Sequence, residues 1–361
     1  MKVDGTRFVL NGKTFPVAGV NNHYLSYGSK YEVLRVLDDA KDLGVNVIRT
    51  FNHPVIGSRD GKSRPTIWNF HARAESSNLG VHGVYMLYWD DAKQIMAVNE
   101  GPDGIGRLDF LIAEARKREI RLIIPFLDFW AYTGGAQQMR AWYGSEDKHR
   151  FFFEDERTRA DFKTWIRYLL TRVNPLTGIT YKDDPTIMAW ELMNEPYAKP
   201  ETLYLRWVAE MSAYAKTIDP NHPIGSGHAG ISNKMSEVSI ASIDFLTWHG
   251  YPLYYKLTVD SFDELIGKQC AIGREHGKPV LLEEFGWARS NPGQVEAYNR
   301  WLGTLASNRD CAGWLAWRLV SIQEHGKYPD DRHDQFDFHR HSGALWNTVK
   351  QAIERFKSRE P

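Results

Sequence analysis

The chain has 361 residues, with 45 Lys plus Arg and 45 Asp plus Glu, so its formal net charge is zero. A neutral balance argues against a nucleic-acid-binding protein, which needs a basic surface, and against attraction to anionic membranes. The hydrophobic share of 42% is enough for a large core. No apolar run approaches the ~18 residues of a membrane-spanning helix. The composition therefore predicts an ordinary globular protein, and its 13 Trp, 17 Tyr and 17 Phe suggest surfaces that stack on flat faces such as sugar rings.

The two cysteines and the N-terminus give weak signals about the cellular compartment. Cys270 and Cys311 are too few for a disulfide framework, and we expect two reduced, partly buried thiols. Residues 1–5 lack the basic and apolar blocks of a secretory signal. The sequence as written predicts a cytoplasmic protein, or a secreted one from which the signal has been removed.

The chain begins with a hairpin pattern. Asn11 and Gly12 separate two short apolar runs, which is typical of a tight type I′ turn between antiparallel strands. We expect a small hairpin at about residues 6–17 that plugs one end of a larger body.

After the hairpin, strand-length apolar runs alternate with helix-length amphipathic stretches, which predicts βαβ units and a buried parallel sheet. The predicted strands are Val17–Asn21, Asn46–Phe51, Arg121–Phe129, Ile187–Glu195, Pro223–His228, Asp244–Tyr251, Pro279–Gly286 and Gly313–Leu319. The predicted helices are Tyr31–Leu43, Gly106–Glu119, Asp155–Val173, Glu201–Ile218, Ser261–Gly277, Gly293–Ser307 and Ala344–Lys357, with a weaker helical pattern at Ile231–Ile240.

Eight such units predict an α/β fold, a (β/α)₈ TIM barrel, with residues 1–361 forming a single catalytic domain. A doubly wound open sheet is the alternative, disfavoured because no glycine-rich phosphate loop follows the first strand. The largest surplus over a minimal barrel is a βα loop at about residues 52–103, which lacks clear periodicity. We expect this loop to be functional and without secondary structure of its own; its aromatic residues include Trp68, Tyr85, Tyr88 and Trp89.

Active sites of such barrels lie at the carboxyl ends of the strands. Two carboxylates flanking a cleft with aromatic walls suit glycoside hydrolysis, in which one carboxyl is protonated and the other ionised. We expect a nearby Arg49 to hold one of them ionised. The predicted strands end in Arg49, Asn194, Glu195, His249, Tyr251, Glu283, Glu284 and Trp317.

Several stretches in the expected order resemble glycoside hydrolase family five, and within it the β-mannanases. The resemblance implies a retaining two-step mechanism without metal or cofactor. The matching stretches are Val47–Phe51, Gly101–Gly104, Arg107–Asp109, Ile123–Phe126, Ala189–Leu192, Asn194–Pro196, Trp248–Pro252, Glu284–Gly286 and Trp317.

The resemblance also implies roles for individual residues. Glu195 would be the general acid/base and Glu284 the nucleophile. Asn194 would bind the 2-hydroxyl of the sugar under attack, and Trp317 would form its platform. The remaining implied roles are that Arg49 and Tyr251 orient Glu284 and keep it anionic, that His249 lines the site near the acid/base, and that Trp130 forms another aromatic wall.

Two further carboxylates compete with these assignments. Glu191 lies deeper on the same strand as Glu195, and we expect it to be the buried partner of a core cation. Glu283 precedes Glu284, and because adjacent strand residues face opposite sides, we expect only Glu284 to reach the cleft.

The chain departs from the mannanase pattern at Tyr197, where Arg is common, and around His228, where a carboxylate is common. Both positions belong to the leaving-group side, which predicts weaker polymer binding there and a preference for short manno-oligosaccharides. Closure of the far end of the cleft by Trp68 and Trp89 would make the enzyme exo-acting.

A polar cluster follows the last strand, at Asp330, Asp331, His333, Asp334, Asp337, His339 and His341. It lacks a recognised metal-ligand spacing, and we expect a polar loop folded over the cleft edge.

The sequence thus predicts an enzyme that cleaves β-1,4-mannosidic bonds in mannan or manno-oligosaccharides, of the endo-mannanase type. An exo-β-mannosidase, a β-1,4-glucanase and a non-catalytic carbohydrate-binding barrel are the alternatives, in that order. We expect no nucleic-acid or membrane partner, and the sequence leaves the oligomeric state open.

Overall fold

The computed structural model describes residues 1–51, 53–67, 76–77, 79–231, 235–329 and 334–359. Its centre is a sheet of eight parallel strands in the spatial order β5-β4-β3-β2-β1-β8-β7-β6, and an isolated parallel bridge between Gly225 and Phe245 joins the two ends. The predicted (β/α)₈ barrel is therefore confirmed. The strands are β1 (Val17–Asn21), β2 (Val47–Arg49), β3 (Arg121–Pro125), β4 (Ile187–Glu191), β5 (Ile224–Gly225), β6 (Leu246–Gly250), β7 (Val280–Phe285) and β8 (Gly313–Ala316).

Helices surround the barrel where the amphipathic patterns predicted them. The first begins at a capping box formed by Ser29 and Glu32 and ends at Gly44, whose left-handed conformation lets the chain turn back to the sheet. The weak helical pattern at Ile231–Ile240 is only a 3-10 turn at Ser236–Ser239. The helices are α1 (Lys30–Leu43), α2 (Gly106–Lys117), α3 (Gly135–Ala141), α4 (Phe151–Glu154), α5 (Glu156–Thr171), α6 (Glu201–Ile218), α7 (Val259–His276), α8 (Gln294–Ser307) and α9 (Ala344–Ser358). None of those that the structure describes is long and apolar enough to cross a membrane.

The N-terminal hairpin closes the bottom of the barrel, as predicted. Strands Arg7–Leu10 and Lys13–Thr14 flank the turn at Asn11 and Gly12, and Lys2–Asp4 adds a third antiparallel strand. Phe8 is 1% exposed and packs edge-to-face on Phe245, with ring centroids 5.5 Å apart. The hairpin thereby seals the amino-terminal end of the strands with apolar side chains.

The segment between β2 and α2 differs from the prediction, because it has secondary structure of its own. Strand Leu87–Asp90 pairs with Ile95–Val98 and with Val55–Ser58 in a small three-stranded sheet. Trp89 is 4% exposed, with its ring against Trp142 and the Arg64 guanidinium 4.3 Å above it. The predicted role of Trp89 at the cleft is therefore wrong, and Trp68 lies outside the described residues.

The two cysteines form a disulfide, which corrects the expectation of reduced thiols. Cys270 on α7 and Cys311 in the turn before β8 are bonded with an S–S distance of 2.04 Å, and both are at most 1% exposed. The residues are 41 positions apart in the chain. Packing of α7 against β7, the neighbour of β8, brings them together, and sequence spacing alone carries no sign of that contact.

Candidate active site

Glu195 stands where the chain leaves β4 at the upper rim of the barrel. Its backbone is left-handed, with φ of 52°, a conformation that is rare for a side chain other than glycine and is concentrated at functional sites. The Nε1–H of Trp130 donates to Oε2 at 2.6 Å, and Oε1 lies 2.5 Å from Nδ1 of His249. Both oxygens are thus held by neighbouring side chains on the inner face of the rim.

Glu284 lies across the cleft from Glu195, on β7. Arg49 donates to its Oε1 at 2.7 Å, and the Tyr251 hydroxyl donates to its Oε2 at 2.6 Å. One carboxylate oxygen of Glu284, one of Glu195 and a ring nitrogen of His249 all lie within 4.8 Å of one another. The sequence-based expectation that these three groups meet is met in the geometry.

Glu283 also points into the barrel, contrary to the expectation that adjacent carboxylates face opposite sides. The pairing of β6 with β7 shifts by one residue after Trp248, so that His249 pairs with Glu284. This irregularity breaks the alternation of the strand. Oε2 of Glu283 lies 3.2 Å from Nε2 of His249 and 3.4 Å from Nε of Arg49, while Glu283 is fully buried.

Arg49 connects the groups beneath the cleft. Its Nε donates to Glu191 at 2.9 Å, which confirms that Glu191 is the buried partner of a core cation. Its Nη2 donates to Oδ1 of Asn194 at 2.8 Å, and Asn194 in turn donates to Asp128 at 2.9 Å. The amide of Asn194 is thereby fixed in orientation as well as in position.

An aromatic cluster lines the cleft on the β8 side. Trp317 is 9% exposed and stacks on Phe51, with ring centroids 5.9 Å apart, and the ring of Phe336 lies 5.1 Å from that of Tyr251. These residues belong to one small cluster separate from the main core. They provide the aromatic surface on which a sugar ring can stack.

Protons in this cluster are not distributed as expected. Burial opposes the charged form of His249, but the charge of Glu284 and hydrogen bonds with Glu195 and Glu283 outweigh it and raise the His249 pKa to about 10. Both ring nitrogens face carboxylate oxygens, which accept only, so the ring is an imidazolium. Although burial raises the pKa of Glu195, the hydrogen bonds and charge of His249 lower it further, so the net shift is downward.

Glu284 shifts in the other direction. Burial raises its pKa above the ordinary value, and the charges of His249 and Arg49 offset only part of that effect. Arg49 therefore acts with the predicted sign but is outweighed. In the free site the mobile proton resides on His249, 2.5 Å from Glu195, rather than on Glu195 itself.

The buried carboxylates below the cleft share a proton as well. Burial raises the pKa of Glu191 far above its usual range. Burial also opposes ionisation of Glu283, but Arg49 and hydrogen bonds from Glu191 and His249 lower its pKa to about 2. Of the two, Glu283 is the one whose pKa shift favours the charged form.

Glu195, His249 and Glu284 would offer one nitrogen and two oxygens to a metal ion. The geometry does not suit such an ion, because the 2.5 Å between Nδ1 of His249 and Oε1 of Glu195 is a hydrogen-bond distance. Two ligands bound to one zinc at ~2.0 Å would lie farther apart than this. The polar cluster after β8 is explained by other contacts in its described part, since Asp337 pairs with Arg289 at 3.1 Å and His339 stacks on Tyr328.

Sequence reasoning missed three side chains that the structure brings to the site and misplaced a fourth. Asp128, which holds Asn194, follows β3 and could have been found by the same strand-end rule that found the others. Asn21 at the end of β1 likewise lies 3.3 Å from Arg49. Phe51 follows β2, and Glu283 was misassigned because of the pairing shift.

A parallel eight-stranded barrel with opposed carboxylates on its upper rim defines the class of barrel glycoside hydrolases. A family model described as "GH family 5 beta-mannosidase-like" matches residues 102–311. The chain belongs to glycoside hydrolase family 5.

Individual relatives extend the match over nearly the whole chain. The putative mannan endo-1,4-beta-mannosidase 9 of Oryza sativa subsp. japonica is 30% identical, over 89% of this chain and 81% of the rice protein. Mannan endo-1,4-beta-mannosidase 4 of Solanum lycopersicum is 29% identical, over 88% of this chain and 82% of its own. The crystal structure of the endo-1,4-beta-mannanase from Rhizomucor miehei superposes with a TM-score of 0.84 and 27% identity, covering 99% of both chains.

Proposed function

We propose that this protein is a retaining glycoside hydrolase that cleaves β-1,4-mannosidic bonds, of the endo-mannanase type, in mannan or manno-oligosaccharides. The observation that carries the proposal is the opposed pair of Glu195 and Glu284, with oxygens within 4.8 Å of each other. The retaining mechanism uses carboxyl groups ~5–5.5 Å apart, whereas inversion needs ~6.5–9.5 Å to admit a water molecule. The relatives named as mannan endo-1,4-beta-mannosidases support the choice of sugar.

In the first step, an oxygen of Glu284 attacks the anomeric carbon, and the bond to the leaving oxygen breaks. The leaving oxygen receives its proton from Glu195, which takes it from His249, 2.5 Å away, so that Glu195 ends the step ionised and His249 ends it neutral. Arg49 and Tyr251 hold Glu284 in line through bonds of 2.7 and 2.6 Å. The product of this step is a mannosyl ester on Glu284 and a free leaving sugar.

In the second step, water attacks the anomeric carbon and releases Glu284. The proton of the water passes to the ionised Glu195, which acts as the base, and from there back to His249. In this scheme Asn194 binds the 2-hydroxyl of the sugar and Trp317 supports the ring; the contacts of Asn194 with Arg49 and Asp128 and the stacking of Trp317 on Phe51 support these roles. The site returns to its starting protonation.

The test is product analysis on mannohexaose and cellohexaose. We expect a ladder of mannose oligomers from mannohexaose and much slower attack on cellohexaose. Release of mannose alone identifies an exo-β-mannosidase, and equal attack on cellohexaose identifies a β-1,4-glucanase. Inversion of the anomeric configuration, read by proton NMR of the first products, would contradict the role given to Glu284.

We also propose that the protein works in an oxidising compartment. The buried disulfide between Cys270 and Cys311 supports this, since structural disulfides are rare in the reducing cytosol. Thiol titration of the protein isolated from its native cell and unfolded without reductant tests the proposal. We expect no free thiol, and two free thiols per chain would contradict it.

A further inference from the structure

A second buried charge pair lies beside the acid/base, in the segment that follows β5. Nδ1 of His228 is 3.3 Å from Oε1 of Glu237 and 3.3 Å from the hydroxyl of Tyr204. The Ser226 hydroxyl also donates to that oxygen of Glu237, at 3.0 Å. The Glu237 side chain is completely buried, and its Oε2 has no hydrogen-bond partner among the described residues. The proposed reaction makes no use of this pair.

Barrel order places His228 beside the acid/base, in agreement with the leaving-group position that the resemblance to the β-mannanases implies. Strand β5 lies between β4, which leads to Glu195, and β6, which carries His249. The Glu195 amide donates to the carbonyl of Gly227 at 2.9 Å, and Thr247 donates to the carbonyl of His228 at 3.2 Å. A segment next to Glu195 borders the position of the sugar whose oxygen receives the Glu195 proton.

Glu237 determines the chemical state of His228. A buried carboxylate is costly without a cation, and within the described part of the chain His228 is its ion-pair partner. Burial opposes the charge of His228, but Glu237 outweighs it and raises the His228 pKa; the reverse interaction lowers the pKa of Glu237 below its usual value. The other charged and titratable groups that face His228 are Tyr204 on α6, Glu195 after β4, which favours its charge, and His249 on β6, which opposes it.

The outer edge of the ring is the functional one. Nδ1 is directed inward at Glu237, so Nε2, at the opposite edge of the ring, is the nitrogen left for the exposed side, and 24% of the side chain is exposed. In the imidazolium this Nε2 carries a proton and can only donate. Sugar hydroxyl oxygens are suitable acceptors, and a charged donor makes the stronger bond.

We propose that His228 is the hydrogen-bond donor of a leaving-group subsite, binding a hydroxyl oxygen of the departing sugar, with Glu237 as the positioning residue that holds the ring charged. The proposal rests on the proposed β-mannoside hydrolase activity. It also corrects the view that His228 replaces a charged group with an uncharged one. The leaving-group side keeps a charge at this position, but of opposite sign to a carboxylate.

The experiment compares two substrates that differ only on the leaving-group side. The leaving group of mannotetraose is a sugar, whereas the leaving group of a nitrophenyl β-mannobioside is a nitrophenol, which has no sugar hydroxyls. For His228→Ala we expect kcat/KM on mannotetraose to fall about 10- to 100-fold, the effect of losing a charged hydrogen bond. The nitrophenyl substrate should change less than about threefold, because its leaving group offers His228 no sugar hydroxyl in either protein. His228→Gln, which keeps a neutral donor, should recover part of the loss.

Two further variants separate a binding role from a structural one. His222 pairs with Asp219 at 2.7 Å just before β5, at the other end of the barrel, and His222→Gln should leave the ratio of the two substrates unchanged. In Glu237→Gln the ring loses its counter-ion, so the preference for mannotetraose should disappear at a lower pH than in the unmodified protein. A merely structural role for Glu237 would change stability and not this pH.

The outcomes test the leaving-group subsite separately from the proposed activity. Equal losses on both substrates in His228→Ala, or no loss on either, would overturn the subsite while leaving the enzyme a β-mannoside hydrolase. If His228→Ala does not fold, the substrate ratio of His228→Gln decides in its place. Failure of the unmodified protein to cleave either substrate would overturn the proposed function, and with it the subsite.

Discussion

The side chains at the two ends of the barrel are equally buried but differ in chemistry, being apolar at one end and ionisable at the other. At the bottom, Phe8 and the first residues of the strands form an apolar cluster with almost no exposed surface. At the top, Arg49, Glu191 and Glu283 are just as buried and all carry ionisable groups. A single strand makes the change within two residues, since β2 begins with Val47 in the bottom cluster and ends with Arg49 in the site.

Because of this difference, the bottom of the barrel contributes mainly to the stability of the fold, and the top contributes mainly to the reaction. Burying apolar surface at the bottom stabilises the fold, whereas burying charges at the top costs free energy unless every charge has a partner. The upper network meets that requirement with a close set of ion pairs around Arg49. We therefore expect substitutions at the top to remove activity and substitutions at the bottom to remove stability.

The largest expected effect is loss of turnover on substitution of the opposed carboxylates. Glu284→Gln removes the nucleophile and should lower kcat by roughly 10⁴-fold or more. Glu195→Gln removes the acid/base and should cost about 10²- to 10⁴-fold, with azide restoring the second step as an external nucleophile. Circular dichroism and melting temperature should show that both variants remain folded. Retention of a tenth of the activity by either variant would remove that residue from its assigned role.

A smaller effect is expected at Glu283, where the substitution should move a pH limit. The acid limb of kcat/KM reports Glu284, whose raised pKa places the limb above about 4.5, and the alkaline limb reports loss of the proton shared by Glu195 and His249. Glu283→Gln removes one of the anions that raise the His249 pKa, so the alkaline limb should move to lower pH by about one unit or more. Glu191→Gln is the matched control, because Glu191 contacts Arg49 and Glu283 rather than His249. An alkaline limb that stays in place in Glu283→Gln contradicts the assignment of the proton to His249.

At the bottom of the barrel, Phe8→Ala should affect stability and leave catalysis intact. Truncating a buried Phe costs about 3–5 kcal/mol of unfolding free energy. Urea denaturation measures this loss, and kcat per folded molecule should stay within a factor of two at low temperature. A large drop in kcat without a loss of stability would show that the two ends of the barrel are coupled.

The smallest expected effect is that of a chelator. Incubation with EDTA should leave kcat unchanged, since the imidazolium and Arg49 already neutralise the carboxylates that would bind a metal ion. Calorimetry with zinc provides an independent measurement and should show no tight binding at the site. Activity lost in EDTA and restored by a divalent ion would replace this mechanism with a metal-dependent one.

The regular part of this molecule was predictable because it repeats one physical pattern. Apolar runs such as Leu122–Pro125 mark strands buried on both faces, and the strand-end rule then located Glu195 and Glu284. The sequence does not reveal the shift that turns Glu283 inward. A strand that is buried on both faces has no alternation of polar and apolar residues, so the residues that face the barrel interior cannot be identified from the pattern. The disulfide depends on a contact between distant elements, and the small sheet around Trp89 pairs strands of only four residues.

The protonation states of the site residues could not be predicted from the sequence either. Residue types indicated which groups meet, but the direction of each pKa depends on distances of a few tenths of an ångström. His249 illustrates this, because its position between Glu195 and Glu283 determines which group carries the proton.

The inward turn of Glu283 has a consequence for the covalent intermediate. When Glu284 becomes an ester, it loses its negative charge, and Arg49 loses an ionic partner at the moment when the site must wait for water. Glu283, 3.4 Å from the Arg49 Nε, takes no part in the bond changes of the proposed scheme, so its contact with Arg49 does not depend on the ester. The irregular pairing therefore gives the enzyme one carboxylate that reacts and an adjacent one that does not, so Arg49 and His249 keep a carboxylate partner while Glu284 is an ester.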